Sequence, residues 1–293
     1  MRENLAKTVH VAERELEEFR MLIEQRSGIW LDSSRDRFFS SRLQQHLEVR
    51  GLSCGADLMR LIRSSSAEYD ALLQRLLTQE TCFFRYPAVF EALRKQVLPE
   101  LHVTKFWANP RTLRVWSAGC ATGEEPYSVA ITVAESLAFA EAWCVQILAT
   151  DISRQVLARA GRGLYSRRSL GNLTPGQVAA HFVKTPEGFE VRSQIRNLVS
   201  FAYMNLAEGT YLGRMDCIFC MNVLMYFSEA RRIEVIQRFW DCLDPGGYLL
   251  LGHSESLANV PVRFEKIVCG DCMLYRKPGG ESAAAAPPSG SRP

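Results

Sequence analysis

The sequence predicts an α/β fold: a doubly wound domain on a mixed sheet, preceded by a small all-α domain. Three observations carry this. From residue 113 onward, apolar runs alternate with amphipathic segments, the pattern of parallel strands covered by helices. The first eighty residues show helical apolar spacing and no strand signal. Between the two, the run from Val115 to Tyr127 reads as a strand, a turn broken by Gly119 and Gly123, and a helix with Pro126 near its first turn.

The elements follow in order. A helix over 11–26 places Leu16, Phe19, Leu22 and Ile23 on one face. A second begins after the capping run Asp32-Ser33-Ser34, turns Phe38, Phe39, Leu43 and Leu47 inward, and stops at Gly51. Short helices are expected over 58–62 and 69–77. Strands are expected over 113–117, 145–150, 199–203, 217–220 and 248–252, then over 264–268 and 273–276. The last two are close enough to pair antiparallel, which gives a mixed sheet of seven strands. The segment 182–191, with its Pro-Glu-Gly turn, reads as a hairpin inserted before the third strand, within a small β subdomain of about 166–198. Residues 281–293 are rich in Ala, Pro, Ser and Gly and read as a linker or disordered tail. The expected units are 1–78, 79–278 and 279–293.

Composition excludes several classes. With 47% apolar and 23% charged residues, the chain has the balance of a soluble globular protein. A net charge of +3 is too small to argue for nucleic acid. No stretch approaches about 18 consecutive apolar residues and the N-terminus lacks an apolar signal core, so a cytoplasmic protein without membrane insertion is expected. Cys217/Cys220 and Cys269/Cys272 have C-x-x-C spacing. An extended chain would point the first pair to opposite faces, and the second spans a Gly-Asp turn, so buried thiols are favoured over zinc and no metal is expected.

The glycine turn specifies the ligand. Its glycines are four apart, not in the G-x-G-x-x-G pattern of a pyrophosphate turn, and Glu124 and Glu125 open the helix. Carboxylates there repel a phosphate but suit a cationic ligand or a ribose hydroxyl. S-adenosylmethionine, a sulfonium bearing adenosine without phosphate, meets that description, with Gly119 at the turn. Asp151 follows the second strand, where an acid binds ribose hydroxyls or caps the next helix. Asn205-Leu206 and Asn222-Val223 follow the third and fourth strands at the same carboxyl edge, as helix caps or as holders of the adenine and methionine groups.

Five segments in order carry a resemblance: Thr81 to Arg85, Trp116 to Ser128, Ala149 to Ser153, Ile218 to Phe227 and Gly246 to Glu255. Over residues 10–277 the chain resembles the CheR family, S-adenosylmethionine-dependent methyltransferases that esterify glutamates of bacterial chemoreceptors. The resemblance implies a Rossmann-like methyltransferase domain and places Gln79, Thr81, Arg85, Glu125, Asp151, Asn205, Leu206, Asn222 and Val223 around S-adenosylmethionine. It also implies Arg85 and Tyr226 as catalytic positions. A glutamate of pKa about 4.3 is already ionised, so positioning is the main task, by the Arg85 fork and a Tyr226 hydrogen bond. Gln79 departs from the family's usual Asn, and Met221 from its Arg. The implied partner is the cytoplasmic helical bundle of a transmembrane chemoreceptor, met by a monomer. Rival readings are the same chemistry in a non-chemotaxis array and a non-catalytic scaffold; retention of Arg85, Asp151 and Tyr226 argues against the latter. A nicotinamide oxidoreductase is disfavoured by the absent G-x-G-x-x-G.

Between residues 35 and 63, six arginines meet only Asp36, Glu48 and Asp57. Arg42, His46 and Arg50, spaced by four, share one helix face. Such a face is solvated or, as in the relatives, docks the acidic receptor bundle. The short hairpin turn at 184–188, with Gly188 serving the bend, is expected not to grip a C-terminal receptor peptide, which leaves docking to that helix.

Overall fold

A computed structural model describes residues 11–77, 80–108, 111–209, 211, 213–257 and 260–279. Helices α1 (Glu13–Ser27), α2 (Asp36–Arg50), α3 (Gly55–Ser64) and α4 (Ser66–Leu76) pack around Phe19, Ile23, Phe39, Leu43, Leu47, Leu58 and Leu72. The apolar spacing alone puts these side chains on facing stripes. Gly28 and Gly51 end α1 and α2 in left-handed conformation, at φ 72° and 64°. Asp32 accepts the Ser34 amide at 2.8 Å and starts a 3-10 turn (Ser33–Arg35) that feeds α2. The C-terminal run 281–293 lies outside the described residues.

A helical rod that periodicity does not reveal comes next. It runs through α5 (Pro87–Ala92), a π-helical stretch (Leu93–Val97) and α6 (Leu98–Lys105), with a proline in the first turn of α5 and of α6.

The sheet domain continues with β1 (Thr112–Ala118), α7 (Glu124–Ser136), β2 (Cys144–Asp151), α8 (Arg154–Arg162), β3 (Leu164–Tyr165), α9 (Pro175–His181), β4 (Phe182–Thr185), β5 (Gly188–Val191), α10 (Ser193–Arg196) and β6 (Val199–Tyr203). It ends with β7 (Met215–Cys220), α11 (Glu229–Cys242), β8 (Leu243–Leu251), β9 (Glu265–Cys269) and β10 (Cys272–Arg276). Seven strands form one sheet in the order β6-β2-β1-β7-β8-β10-β9. Pairing is parallel from β6 to β8, and β10 is antiparallel to both its neighbours. The mixed seven-stranded sheet is thus the one the apolar runs predict. Chain order reverses across β1, which is flanked by β2 on one side and β7 on the other, and a crevice opens at such a switch.

Two cores cover the two faces. Cys217 lies in one and Cys220 in the other, as alternation along an extended strand requires. Cys269 and Cys272 stand opposite each other across the β9–β10 turn. Trp116 fills the second core, edge-on to Tyr211 and Phe239, its Nε1 donating to Thr150 Oγ1 at 2.9 Å.

The insertion is a second sheet of order β3-β5-β4. The two-residue strand β3 carries no readable sequence signal. Gly188 does not form the bend: it opens β5, paired with Thr185, where a side chain would strike the Tyr165 carbonyl. Among the described residues β4 is also an edge strand, so the short loop is not what decides whether a peptide can pair there.

Candidate functional site

The carboxyl ends of β1, β2, β6 and β7 and the segment before α5 enclose a cavity of about 620 Å³. Its far wall comes from the helical domain, through Ser27, Ile29, Arg35 and Phe38. The two regions interlock beside it. Ile29 bridges Phe227, the Trp30 amide donates to the Tyr226 carbonyl at 2.7 Å, and Gln74 Nε2 donates to Ser153 Oγ at 2.7 Å.

The glycine turn is stitched to the end of β2 by the Gly119 and Cys120 amides, both donating to the Thr150 carbonyl, at 2.8 and 2.9 Å. Gly119, at φ 85°, touches the Val223 side chain so closely that a Cβ has no room. Both residues thereby form cavity wall. Asp151 Oδ2 accepts the Ala121 amide and Oδ1 the Ser153 amide, each at 2.9 Å. The α8 cap is Ser153, whose hydroxyl accepts the Val156 amide, so Asp151 is not the helix cap. Each Asp151 oxygen keeps a lone pair for a ligand hydroxyl. Burial raises its pKa, and the backbone amides of Ser153, Ala121 and Ile152 oppose the rise.

The two glutamates at the mouth of α7 part company. Glu124 is buried away from the cavity and accepts the Thr122 hydroxyl at 2.6 Å. Glu125 faces the cavity, accepts the Ser117 hydroxyl at 2.7 Å, and has its pKa pushed up to about 7. Burial is the main cause, reinforced by the Glu255 charge and opposed by Ser117 and Arg85.

Asn222, after β7, sits at φ 62° and its Oδ1 accepts the Tyr86 hydroxyl at 2.7 Å. Asn205 is buried, donating from Nδ2 to the Arg26 carbonyl at 3.0 Å and accepting the Ala207 amide at 3.0 Å, so its amide ties α1 to the sheet edge while lining the cavity. The Leu206 carbonyl accepts Tyr211 Oη and Arg238 Nη1. Thr81 lines the cavity; Gln79 lies outside the described residues. Arg85 is exposed at the rim, donating from Nη1 to the Glu80 carbonyl at 2.6 Å, its guanidinium 5.4 Å from the Tyr86 ring centre. Tyr226 ends a 3-10 turn (Leu224–Tyr226) on the same wall.

The α2 trio needs correction. His46 is 1% exposed, not a surface residue. Its Nε2 meets Glu68 Oε1 at 2.7 Å, and Arg50 Nε donates to the same oxygen at 2.6 Å. Because α4 covers this side of α2, the spacing of four places a seam there and not a free basic stripe. Arg50 stays exposed while it bonds Glu68, and Arg42 is half-buried, stacked on Phe38 at 5.0 Å.

Spacing misses Tyr86 and Glu255, although they lie beside the Thr81–Arg85 segment and at the end of the Gly246–Glu255 segment, because each acts on backbone or side chains remote in sequence. It also misses the helical wall. One backbone signal exists only in three dimensions: Phe84, Ala121 and Asn222, non-glycines at φ 50°, 47° and 62°, all lie in or beside the cavity wall.

An acid-lined nucleoside groove without a phosphate cradle defines a class of α/β enzyme that takes S-adenosylmethionine. The family model for the CheR methyltransferase SAM binding domain matches residues 79–272, and that for the CheR methyltransferase all-alpha domain matches 14–77. The chain belongs to the CheR methyltransferase family, and S-adenosylmethionine is its cofactor. It is 35% identical to chemotaxis protein methyltransferase 1 of Pseudomonas aeruginosa, over 90% of this chain and 98% of that one. It is 34% identical to a chemotaxis protein methyltransferase of Vibrio anguillarum, over 92% and 98%. With the chemotaxis protein methyltransferase of Escherichia coli K12 it shares 37% identity, over 83% and 84%. Among the described residues no helix is long and apolar enough to cross a membrane.

Proposed function

We propose that this methyltransferase esterifies glutamate side chains of a chemoreceptor, acting in the cytoplasm on the receptor's helical bundle. The observation that supports the reading is the pairing, in one cavity, of an acid-lined nucleoside groove with an exposed arginine at its rim. When bound, S-adenosylmethionine supplies its sulfonium methyl to an acceptor oxygen, so two opposite charges are lost together.

The chain's residues bind and orient. Asp151 offers two oxygens to ribose hydroxyls, and Glu125 offers a carboxylate to the ammonium group, assisted by the Asn222 and Asn205 amides. Gly119 lets the turn close on Val223, leaving that wall smooth for the nucleoside. Arg85 forks the acceptor carboxylate and Tyr226 shares it, while Phe38 and Ile29 exclude water from the methyl path. No base is needed for an ionised acceptor. Units 1–78 and 79–278 divide the work, the first presenting Arg42 to the receptor and the second holding the cofactor.

The test is transfer of a tritiated methyl group to receptor-containing membranes. Label released as methanol by mild base supports a carboxyl ester; base-stable label would overturn it. Titration with C-terminal receptor peptides, expected to show no binding, separates docking on α2 from pairing on β4.

A further inference from the structure

The Glu255 carboxylate gathers three backbone amides from two chain segments. Oε2 accepts the Asn222 amide at 2.8 Å and the Gly252 amide at 2.9 Å, and Oε1 accepts the Met225 amide at 3.3 Å. A Cβ on Gly252 would lie 2.8 Å from Glu255 Oε2 and 2.9 Å from the Asn222 nitrogen, so only glycine leaves room for this junction. The clamped segment is the one that carries Asn222, Val223 and Tyr226. Asn222 there adopts a left-handed conformation that a non-glycine residue keeps only when its surroundings hold it. The second hold is Tyr86, whose hydroxyl donates to Asn222 Oδ1 at 2.7 Å and so fixes which end of the amide faces the cavity.

We propose that Glu255 and Tyr86 are positioning residues that act as one relay through Asn222, setting the Asn222 side chain for the cofactor, with Gly252 as the required clearance. Glu255 holds the backbone of Asn222 and Tyr86 holds its side chain. Neither hold suffices alone, because the amide direction depends on both the strained backbone and the hydrogen bond. Since the Tyr86 ring also lies under the Arg85 guanidinium, the relay joins the cofactor floor to the rim. The inference rests on the assignment of this cavity to S-adenosylmethionine but not on the identity of the methyl acceptor.

The experiment is calorimetric titration of the full chain with S-adenosylhomocysteine, for wild type, Tyr86→Phe, Glu255→Gln and the double variant, with thermal unfolding as the control for folding. Each single change is expected to weaken binding about tenfold, and the double variant to bind no worse than about the weaker single, since one relay is broken once. Losses that multiply would show two independent contacts and overturn the relay; wild-type affinity in either single variant would do so as well. Should Glu255→Gln fail to fold, Gly252→Ala takes its place in the cycle, judged by the same rule.

A second readout separates positioning from bracing. Glu125 is faced by Ser117 of β1, Arg85 before α5, Glu255 after β8, and the Cys120 and Cys220 thiols. Removing the Glu255 charge should move the acid limb of S-adenosylhomocysteine binding to lower pH, while Tyr86→Phe leaves it in place. An unmoved limb in Glu255→Gln would show that this carboxylate does not bear on the cavity and would overturn its part.

Discussion

Two groups of inward-facing carboxylates in this chain have opposite surroundings. In the helical domain Glu68, 9% exposed, is matched by Arg50 and His46 on a single oxygen. At the sheet edge Asp151 and Glu125 receive backbone amides and a serine hydroxyl, and among the described residues no cation is bonded directly to either. Burial raises the pKa of both cavity acids. In the seam the effect falls on His46, whose pKa burial lowers against the pull of Glu68. Internal pairing makes a seam that holds α2 to α4. Buried carboxylates left without an internal cation make a site that gains from a ligand bringing hydroxyls and positive charge.

The largest break of this contrast is at the rim. Arg85→Ala should lower methyl transfer about 100-fold or more, by loss of carboxylate positioning, with a smaller effect on S-adenosylhomocysteine affinity. Equal losses in turnover and affinity would make Arg85 a cofactor ligand only; intact turnover would remove it from the site. Next comes Asp151→Ala, which should weaken S-adenosylhomocysteine by roughly 1.5 to 3 kcal/mol, the worth of hydrogen bonds to a charged group. Wild-type affinity there would sink the ribose assignment.

The seam should answer differently. His46→Ala leaves Glu68 short of a buried partner and opens a void, so unfolding stability should drop by about 1 to 3 kcal/mol in a denaturant titration while cofactor affinity stays at wild type. A fall in affinity instead of stability would mean that α2 shapes the cavity directly.

Glu125 gives a smaller, pH-dependent effect. Its pKa is raised to about 7, so the charged form that attracts an ammonium group is present above that value and lost as pH falls through it. Binding of S-adenosylhomocysteine should therefore weaken toward tenfold per unit below about pH 7, and Glu125→Gln should flatten the profile. A flat wild-type profile between pH 6 and 8 would place Glu125 outside the ligand's reach.

These residues differ in how far sequence reveals them. Asp151, Asn205 and Asn222 lie within two residues of the ends of the expected strands, and parallel strands bring their carboxyl ends together whatever the details of packing. His46 obeys a spacing rule just as regular, yet a helix between two neighbours has more than one buried side, and the period cannot say which side α4 covers. The helical wall is hidden for a related reason: Ile29 and Phe38 reach the cavity only through the Ile29–Phe227 bridge, a contact between segments nearly two hundred residues apart. The rod through α5 and α6 escaped because its π-helical stretch breaks the 3.6-residue period.

The smallest effect tests what remains of the basic face. Arg42 has no buried partner; it bonds Gln45 on its own helix and stacks on Phe38, which is 38% exposed and reaches the cavity wall. A charge at this position acts on an incoming acidic bundle through solvent, so its influence is modest and screened by salt. Arg42→Glu should reduce methylation of receptor membranes a few-fold at low ionic strength, about 1 kcal/mol, and leave S-adenosylhomocysteine affinity unchanged. Raising the salt should bring the wild-type and variant rates together, because screening removes the attraction in one and the repulsion in the other. If the variant methylates at the wild-type rate in low salt, receptor docking does not use α2, and the open edge of β4 becomes the surface to test.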